Sequence, residues 1–152
     1  HGNHDGPSEI VSHLLGSNVH EEYIFVSGGK KIICTHGDKF DDFITDYPIT
    51  VIIADYLYHF LQKLDNDFYW AKLAKMSSKT FLKCIEKVKT KAIKYKDKMK
   101  CDLICVGHTH CPEANEGTYF NSGCWTEKTS TFLVVNNGAI TLEKYEENNT
   151  SI

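Results

Sequence analysis

The sequence predicts an α/β domain of the α+β layered kind, carrying a helical insertion. Three observations predict it. Two short apolar runs each stop at a loop that opens on histidine, a long middle stretch repeats its apolar residues at helical spacing, and the C-terminal third returns to short strands. Taken in order, Glu22 to Ser27 alternate as a strand, Gly28-Gly29 supply a tight turn, and Lys30 to Thr35 return as a second strand ending at His36. From about Ile49 to Lys100 the spacing is helical. Leu57, Leu61, Leu64 and Phe68 make one stripe, and Ile85, Val88, Ala92, Tyr95 and Met99 another. Leu103 to Val106 read as a buried strand that stops at Gly107 and is followed by His108-Thr109-His110. Thr118 to Asn121 and Thr131 to Asn136 are further strands, and Ala139 to Tyr145 pairs with the latter across Asn137-Gly138. The chain thus divides into a first part of the domain at 1–48, an insertion at 49–100, a C-terminal part of the domain at 101–146, and a polar tail at 147–152.

At 152 residues there is room for about one domain, given a norm of roughly 100–200 residues. The chain is 41% hydrophobic and 24% charged, and no apolar run approaches the roughly 18 residues of a membrane span, which excludes an integral membrane protein over this stretch. It opens on His1-Gly2-Asn3-His4-Asp5, without methionine or a strand ahead of a string that belongs after one, so the N-terminal part of the domain is expected to be absent. All 17 basic residues are lysine, which removes the planar two-pronged grip that arginine gives phosphate.

The six cysteines form no C-x-x-C pair, and Cys34 and Cys105 lie inside apolar runs. The expectation is reduced core thiols in a cytoplasmic chain. A disulfide framework, or a Cys/His zinc site near Cys111, is the alternative. Lys83 to Lys100 holds eight lysines against Glu86 and Asp97, in a chain of net charge −3. Such a strip is either the solvated face of a packed helix or a surface for anionic lipid or phosphate-bearing substrate, the latter placing the protein peripherally at the inner face of a membrane. Tyr56, Tyr58, Phe60, Phe68, Tyr69 and Trp70 either pack between insertion helices or line an acyl-chain groove.

Three strings carry chemistry: Gly2-Asn3-His4-Asp5, Thr35-His36-Gly37-Asp38 and Gly107-His108-Thr109-His110. Imidazole nitrogen with amide or carboxylate oxygen suits divalent metals, and in an extended loop His108 and His110 would project to one side. In this order the strings resemble the last three motifs of the calcineurin-like metallophosphoesterases, whose series runs D-x-H, G-D-x-x-D, G-N-H-D/E, a further histidine and G-H-x-H. The resemblance implies a metallophosphoesterase β-sandwich flanked by helices, with a helical cap. It also implies two divalent ions, Mn2+ first and Zn2+, Fe2+ or Mg2+ as alternatives. Asn3, His36 and His108 would bind one metal and His110 the other. His4 would stand at the reacting phosphoryl group with Asp5 orienting its ring. Read from the residues themselves, Asp38 orients His36, contacts substrate or closes the loop after Gly37, and Lys83 and Lys87 of the lysine strip are candidates to contact substrate.

Within that family the chain is similar to the UDP-2,3-diacylglucosamine diphosphatase-like group. The likeness rests on His36-Gly37-Asp38-Lys39-Phe40-Asp41, the helical insertion, and Asn121-Ser122-Gly123-Cys124-Trp125. It departs at His4, where that group usually carries arginine, and neither D-x-H nor G-D-x-x-D is found. The implied activity is hydrolysis of a diphosphate bond in a nucleotide- or lipid-linked substrate by metal-bound hydroxide. Two alternatives remain open: a protein-docking scaffold, a use to which a retromer subunit puts this fold, and a nuclease-type phosphodiesterase. A nucleic-acid partner ranks last because the chain lacks arginine, and the oligomeric state is open.

Overall fold

A computed structural model of the chain describes residues 1–42, 79–114, 117–126 and 129–145. The expected helical stripe Leu57 to Phe68, the aromatic cluster Tyr56 to Trp70, and the tail 147–152 lie outside the described residues. The elements are α1 (Ser8–Leu15), β1 (Glu22–Ser27), β2 (Lys30–Thr35), a 3-10 turn (Asp38–Phe40), α2 (Lys79–Lys98), β3 (Leu103–Val106), β4 (Tyr119–Asn121), β5 (Ser130–Asn136) and β6 (Ala139–Tyr145).

The fold is mixed α/β. One sheet runs β1-β2-β3-β4 and a second pairs β5 with β6. β1 and β2 are the antiparallel hairpin that Gly28-Gly29 predicts, while β2, β3 and β4 run parallel. All four residues of β3 are buried, as a central parallel strand covered on both faces requires.

Alternation along β2 and β3 sends side chains to two separate cores. Ile33 and Ile104 join Val88 and Ala92 of α2, all four with no exposed surface. Of the apolar stripe expected over Ile85 to Met99, Val88, Ala92, Tyr95 and Met99 pack here, joined by Cys84 and Ile93, and Ile85 is not among them. On the other face Ile32, Leu103, Cys105 and Phe120 pack against Leu133, Val135 and Ile140 of the second sheet. Each fully buried aliphatic side chain contributes about 1.5–3 kcal/mol, so the two cores hold the parallel strands rigidly between helix and sheet.

The two hairpins also meet at their turns. A Cβ on Gly28, whose φ is +54°, would lie 2.2 Å from the Asn137 carbonyl oxygen, so only glycine fits there. Gly138 N–H donates to Ser27 Oγ across the same contact at 3.1 Å.

The sequence reading did not foresee α1. Its eight residues start after Pro7 and end at Gly16 in the left-handed region, yet it buries no side chain. Ile10, Leu14 and Leu15 are exposed. Among the described residues, no helix is long and apolar enough to cross a membrane.

Candidate functional site

The register that pairs Cys34 with Cys105 brings the C-terminal ends of β2 and β3 side by side. In parallel sheets this is the end at which ligands gather. His36 is the first residue past β2 and His108 the second past β3. Their rings meet edge to face, 5.2 Å between centroids at 69°, and Gly107 N–H donates to the His36 carbonyl at 2.9 Å.

A carboxylate anchors each ring. His36 Nδ1 lies 3.1 Å from Asp38 Oδ1, and His108 Nε2 lies 3.0 Å from Asp41 Oδ2. The second pair is the more deeply placed, at 10% and 12% side-chain exposure. A proton on the anchored nitrogen leaves Nε2 of His36 and Nδ1 of His108 as lone-pair donors, the arrangement by which carboxylates fix ligating imidazoles. Burial pushes the His36 pKa down, opposed by its hydrogen bond to Asp38, so the neutral ring is favoured.

The 3-10 turn that carries Asp38 is pinned by buried Phe40, which packs on Tyr95 of α2. Asp41 follows and also accepts a hydrogen bond from the Cys84 thiol at 3.3 Å. That thiol is pushed up to about 12, first by burial and then by the Asp41 carboxylate. Asp41 stands within the His36 string, where the sequence alone assigns it no role. Its signal was the spacing three residues after Asp38, which a 3-10 turn places on the same side.

The Gly107-to-His110 loop differs from the extended segment expected. His108 and His110 both sit at positive φ, 62° and 57°, and Thr109 N–H donates to the Gly107 carbonyl at 2.7 Å. Side-chain alternation therefore does not apply. Left-handed backbone at non-glycine residues costs about 1–3 kcal/mol each and persists only where the surroundings enforce it. Here Asn121 enforces it. Its side chain, 1% exposed by residue, donates to the Gly107 carbonyl at 2.8 Å and to Thr109 Oγ1 at 3.0 Å, while Gly123 N–H donates to its Oδ1. These hydrogen bonds make Asn121 a wall of the site. Trp125 is exposed and stacks on Tyr145, 5.5 Å between centroids.

The first string approaches through its backbone. Gly2 is buried, and a Cβ there would lie 2.6 Å from His36 Cδ2 and 2.7 Å from Nε2, so glycine is what allows the contact. The Asp5 carboxylate accepts the Gly2 N–H at 2.7 Å and closes its own turn. Asn3, His4 and Asp5 are exposed, and of the three Asp5 lines the adjoining cavity. The structure therefore joins Gly2, His36 and His108 in a contact chain. His110 is half-buried nearby in sequence, and Lys83 and Lys87 are exposed one turn apart on α2. Lys89 and Lys91 are instead engaged by Glu113 and Asp42.

A cavity of about 470 Å³ lies under the N-terminal loop, lined among others by His36, Cys34, Cys105, Ser122 and Leu133. The donor chemistry of the two anchored imidazoles fits the nitrogen ligands of one divalent cation. Among the described residues, no group of three or more His, Cys, Asp or Glu side chains is arranged to hold a metal ion.

No protein-family model and no curated protein matches this sequence. Among solved structures, a single mutant of Vps29 from Entamoeba histolytica is similar at 16% identity and a TM-score of 0.41, over 97% of this chain and 67% of that one. Vacuolar protein sorting 29 from Cryptosporidium parvum is similar at 12% identity and a TM-score of 0.31, over 86% of this chain and 60% of that one.

Proposed function

We propose that this chain is a phosphoesterase module whose strand-end imidazoles engage a phosphoryl group, in the manner of the metallophosphoesterases its motif strings resemble. The observation that carries the reading is the carboxylate-anchored pair. Two rings from separate strands meet at the ligand-binding end of a parallel sheet, each with one nitrogen fixed and one left as a donor. His36 and His108 would hold a divalent cation, Mn2+ first and Zn2+, Fe2+ or Mg2+ next, with Asn3 and His110 as further ligands. Bound there, such an ion supplies Lewis-acid charge and a water of lowered pKa.

The protein's own groups do the rest. Asp38 and Asp41 hold the rings in their donor tautomers, and Asn121 holds the strained loop. The exposed His4 is placed in this reading to donate to a leaving oxygen. Lys83 and Lys87 draw in an anionic substrate. The proposed substrate class is a diphosphate bond in a nucleotide- or lipid-linked molecule, met in the cytoplasm or at the inner face of a membrane.

The test is Mn2+-dependent hydrolysis of bis(p-nitrophenyl) phosphate and of a nucleotide diphosphate ester by the chain. Loss in His36→Ala and in His108→Ala, with far-ultraviolet circular dichroism unchanged, is expected. Activity that survives both substitutions would overturn the assignment.

A second reading, a protein-docking scaffold, is favoured by the exposed apolar residues of α1 together with Tyr23 and Val26 of β1. It predicts that Mn2+ produces no calorimetric binding heat and that both histidine variants behave as the parent protein.

A further inference from the structure

We propose that Cys34 and Cys105 form a modification site, a neighbouring dithiol that small oxidants convert to a disulfide stapling β2 to β3. The inference stands apart from the phosphoesterase reading. The two residues are register partners on adjacent parallel strands, so their side chains leave the same face of the sheet. Hydrogen-bonded strands lie about 4.7–4.9 Å apart, within the roughly 4.4–6.8 Å between Cα atoms that a disulfide spans. Both line the 470 Å³ cavity beneath the N-terminal loop, which gives a small oxidant its route in, and both are free thiols in this structure.

Cys84 and Cys101 are engaged differently. Cys84 donates to the Asp41 carboxylate, and Cys101 points at the Met99 carbonyl, 3.6 Å away. The sequence reading weighed a disulfide framework against reduced core thiols. The register shows that one pair is reduced here and yet placed to close.

Hydrogen peroxide serves as the oxidant. One sulfur attacks the O–O bond, displaces hydroxide and becomes a sulfenic acid. The second sulfur then attacks that sulfur, forming the S–S bond and expelling the oxygen as water. Two thiols and one peroxide give one disulfide and two waters, so the two electrons lost by sulfur reduce the O–O bond. The staple would tie together the two strands whose next residues carry His36 and His108.

The experiment treats the full chain with hydrogen peroxide, blocks remaining thiols with iodoacetamide under denaturing conditions, and maps the peptides by mass without reduction. A cross-linked Cys34–Cys105 peptide pair, lighter by two hydrogens and released by dithiothreitol, is expected. It should vanish in Cys34→Ser. Phenylarsine oxide, which bridges adjacent thiols, should protect both residues from alkylation in the untreated native protein, a readout that needs no variant to fold. Parent protein in which both cysteines stay alkylatable after peroxide, or are oxidised separately to sulfinic acids, would overturn the proposal, as would alkylation of both in the presence of phenylarsine oxide.

Discussion

Two regions of this molecule carry similar histidine-bearing strings and hold them in opposite ways. His36 and His108 stand directly past strands whose Ile33 and Ile104 have no exposed surface, and each ring has a carboxylate behind it. The N-terminal segment, from Asn3 through α1, has no buried side chain in its helix and leaves Asn3, His4 and Asp5 exposed. Gly2 ties it to the site by packing against the His36 ring, and the His1 ammonium donates to the His20 carbonyl ahead of β1. A side chain becomes pre-organised when the fold supplies both a core beneath its backbone and a partner for its polar atoms. The strand ends have both, whereas the N-terminal loop is held by its own turn, the Gly2 contact and the His1 bond to His20.

The largest expected effect tests the core beneath the strand ends. Ile104→Ala is expected to destabilise the protein by about 2–5 kcal/mol, the range for emptying a fully buried aliphatic site. Ile10→Ala, at a position 56% exposed on α1, should stay within about 0.5 kcal/mol. Urea unfolding measures both. Equal costs would break the distinction between the regions.

Next in size is the contact that joins them. Gly2→Ala places a methyl group within 2.8 Å of three His36 ring atoms, and crowding of this kind costs about 1–3 kcal/mol. The loop has few hydrogen bonds with which to resist, so it should lift rather than displace the ring. Hydrogen exchange of the Asp5 amide should then accelerate while the amides of β2 and β3 keep their protection. Slow exchange at Asp5 in the variant would show that the loop is held more firmly than Gly2 alone explains.

The anchors themselves can be compared through metal affinity. Removing a carboxylate that orients a ligating imidazole typically lowers affinity about 10–100-fold. Asp41→Asn should show that loss for Mn2+ by titration calorimetry, because Asp41 fixes His108 at 3.0 Å. Asp5→Asn should leave Mn2+ affinity unchanged, since its carboxylate closes a turn on Gly2. The reverse outcome would move the metal ligands to the N-terminal loop.

The same contrast explains what could be read from the residues in advance. Every described strand is legible in the sequence to within a residue, because alternation, Gly28-Gly29 and Asn137-Gly138 are local signals that tertiary packing reinforces. α1 was not, since eight residues with no buried face leave little periodic pattern to read. His36 and His108 could be named from their strings, but Asp41 could not be assigned to His108 because 67 residues separate them. Nor could the left-handed turns at His108 and His110 be foreseen. The buried amide of Asn121 imposes them from a strand later in the chain.

The smallest expected effect carries the contrast to α2, where lysines also divide into anchored and unanchored. Lys89 and Lys91 are engaged by Glu113 and Asp42, whereas Lys83 and Lys87 are exposed on the outer surface. An ion-paired lysine presents little net field, because its carboxylate cancels most of it beyond a Debye length of about 8–10 Å. An exposed one contributes about 1 kcal/mol to attraction by an anionic surface. Lys83→Ser and Lys87→Ser should therefore change stability by no more than about 0.5 kcal/mol each, yet each should weaken sedimentation with phosphatidylserine vesicles roughly fivefold. Lys89→Ser combined with Glu113→Gln, which removes a lysine together with the carboxylate that compensates it, should leave vesicle binding nearly as it was. If all three variants bind alike, the lysine strip is a solvated helix face and no membrane contact is made through it.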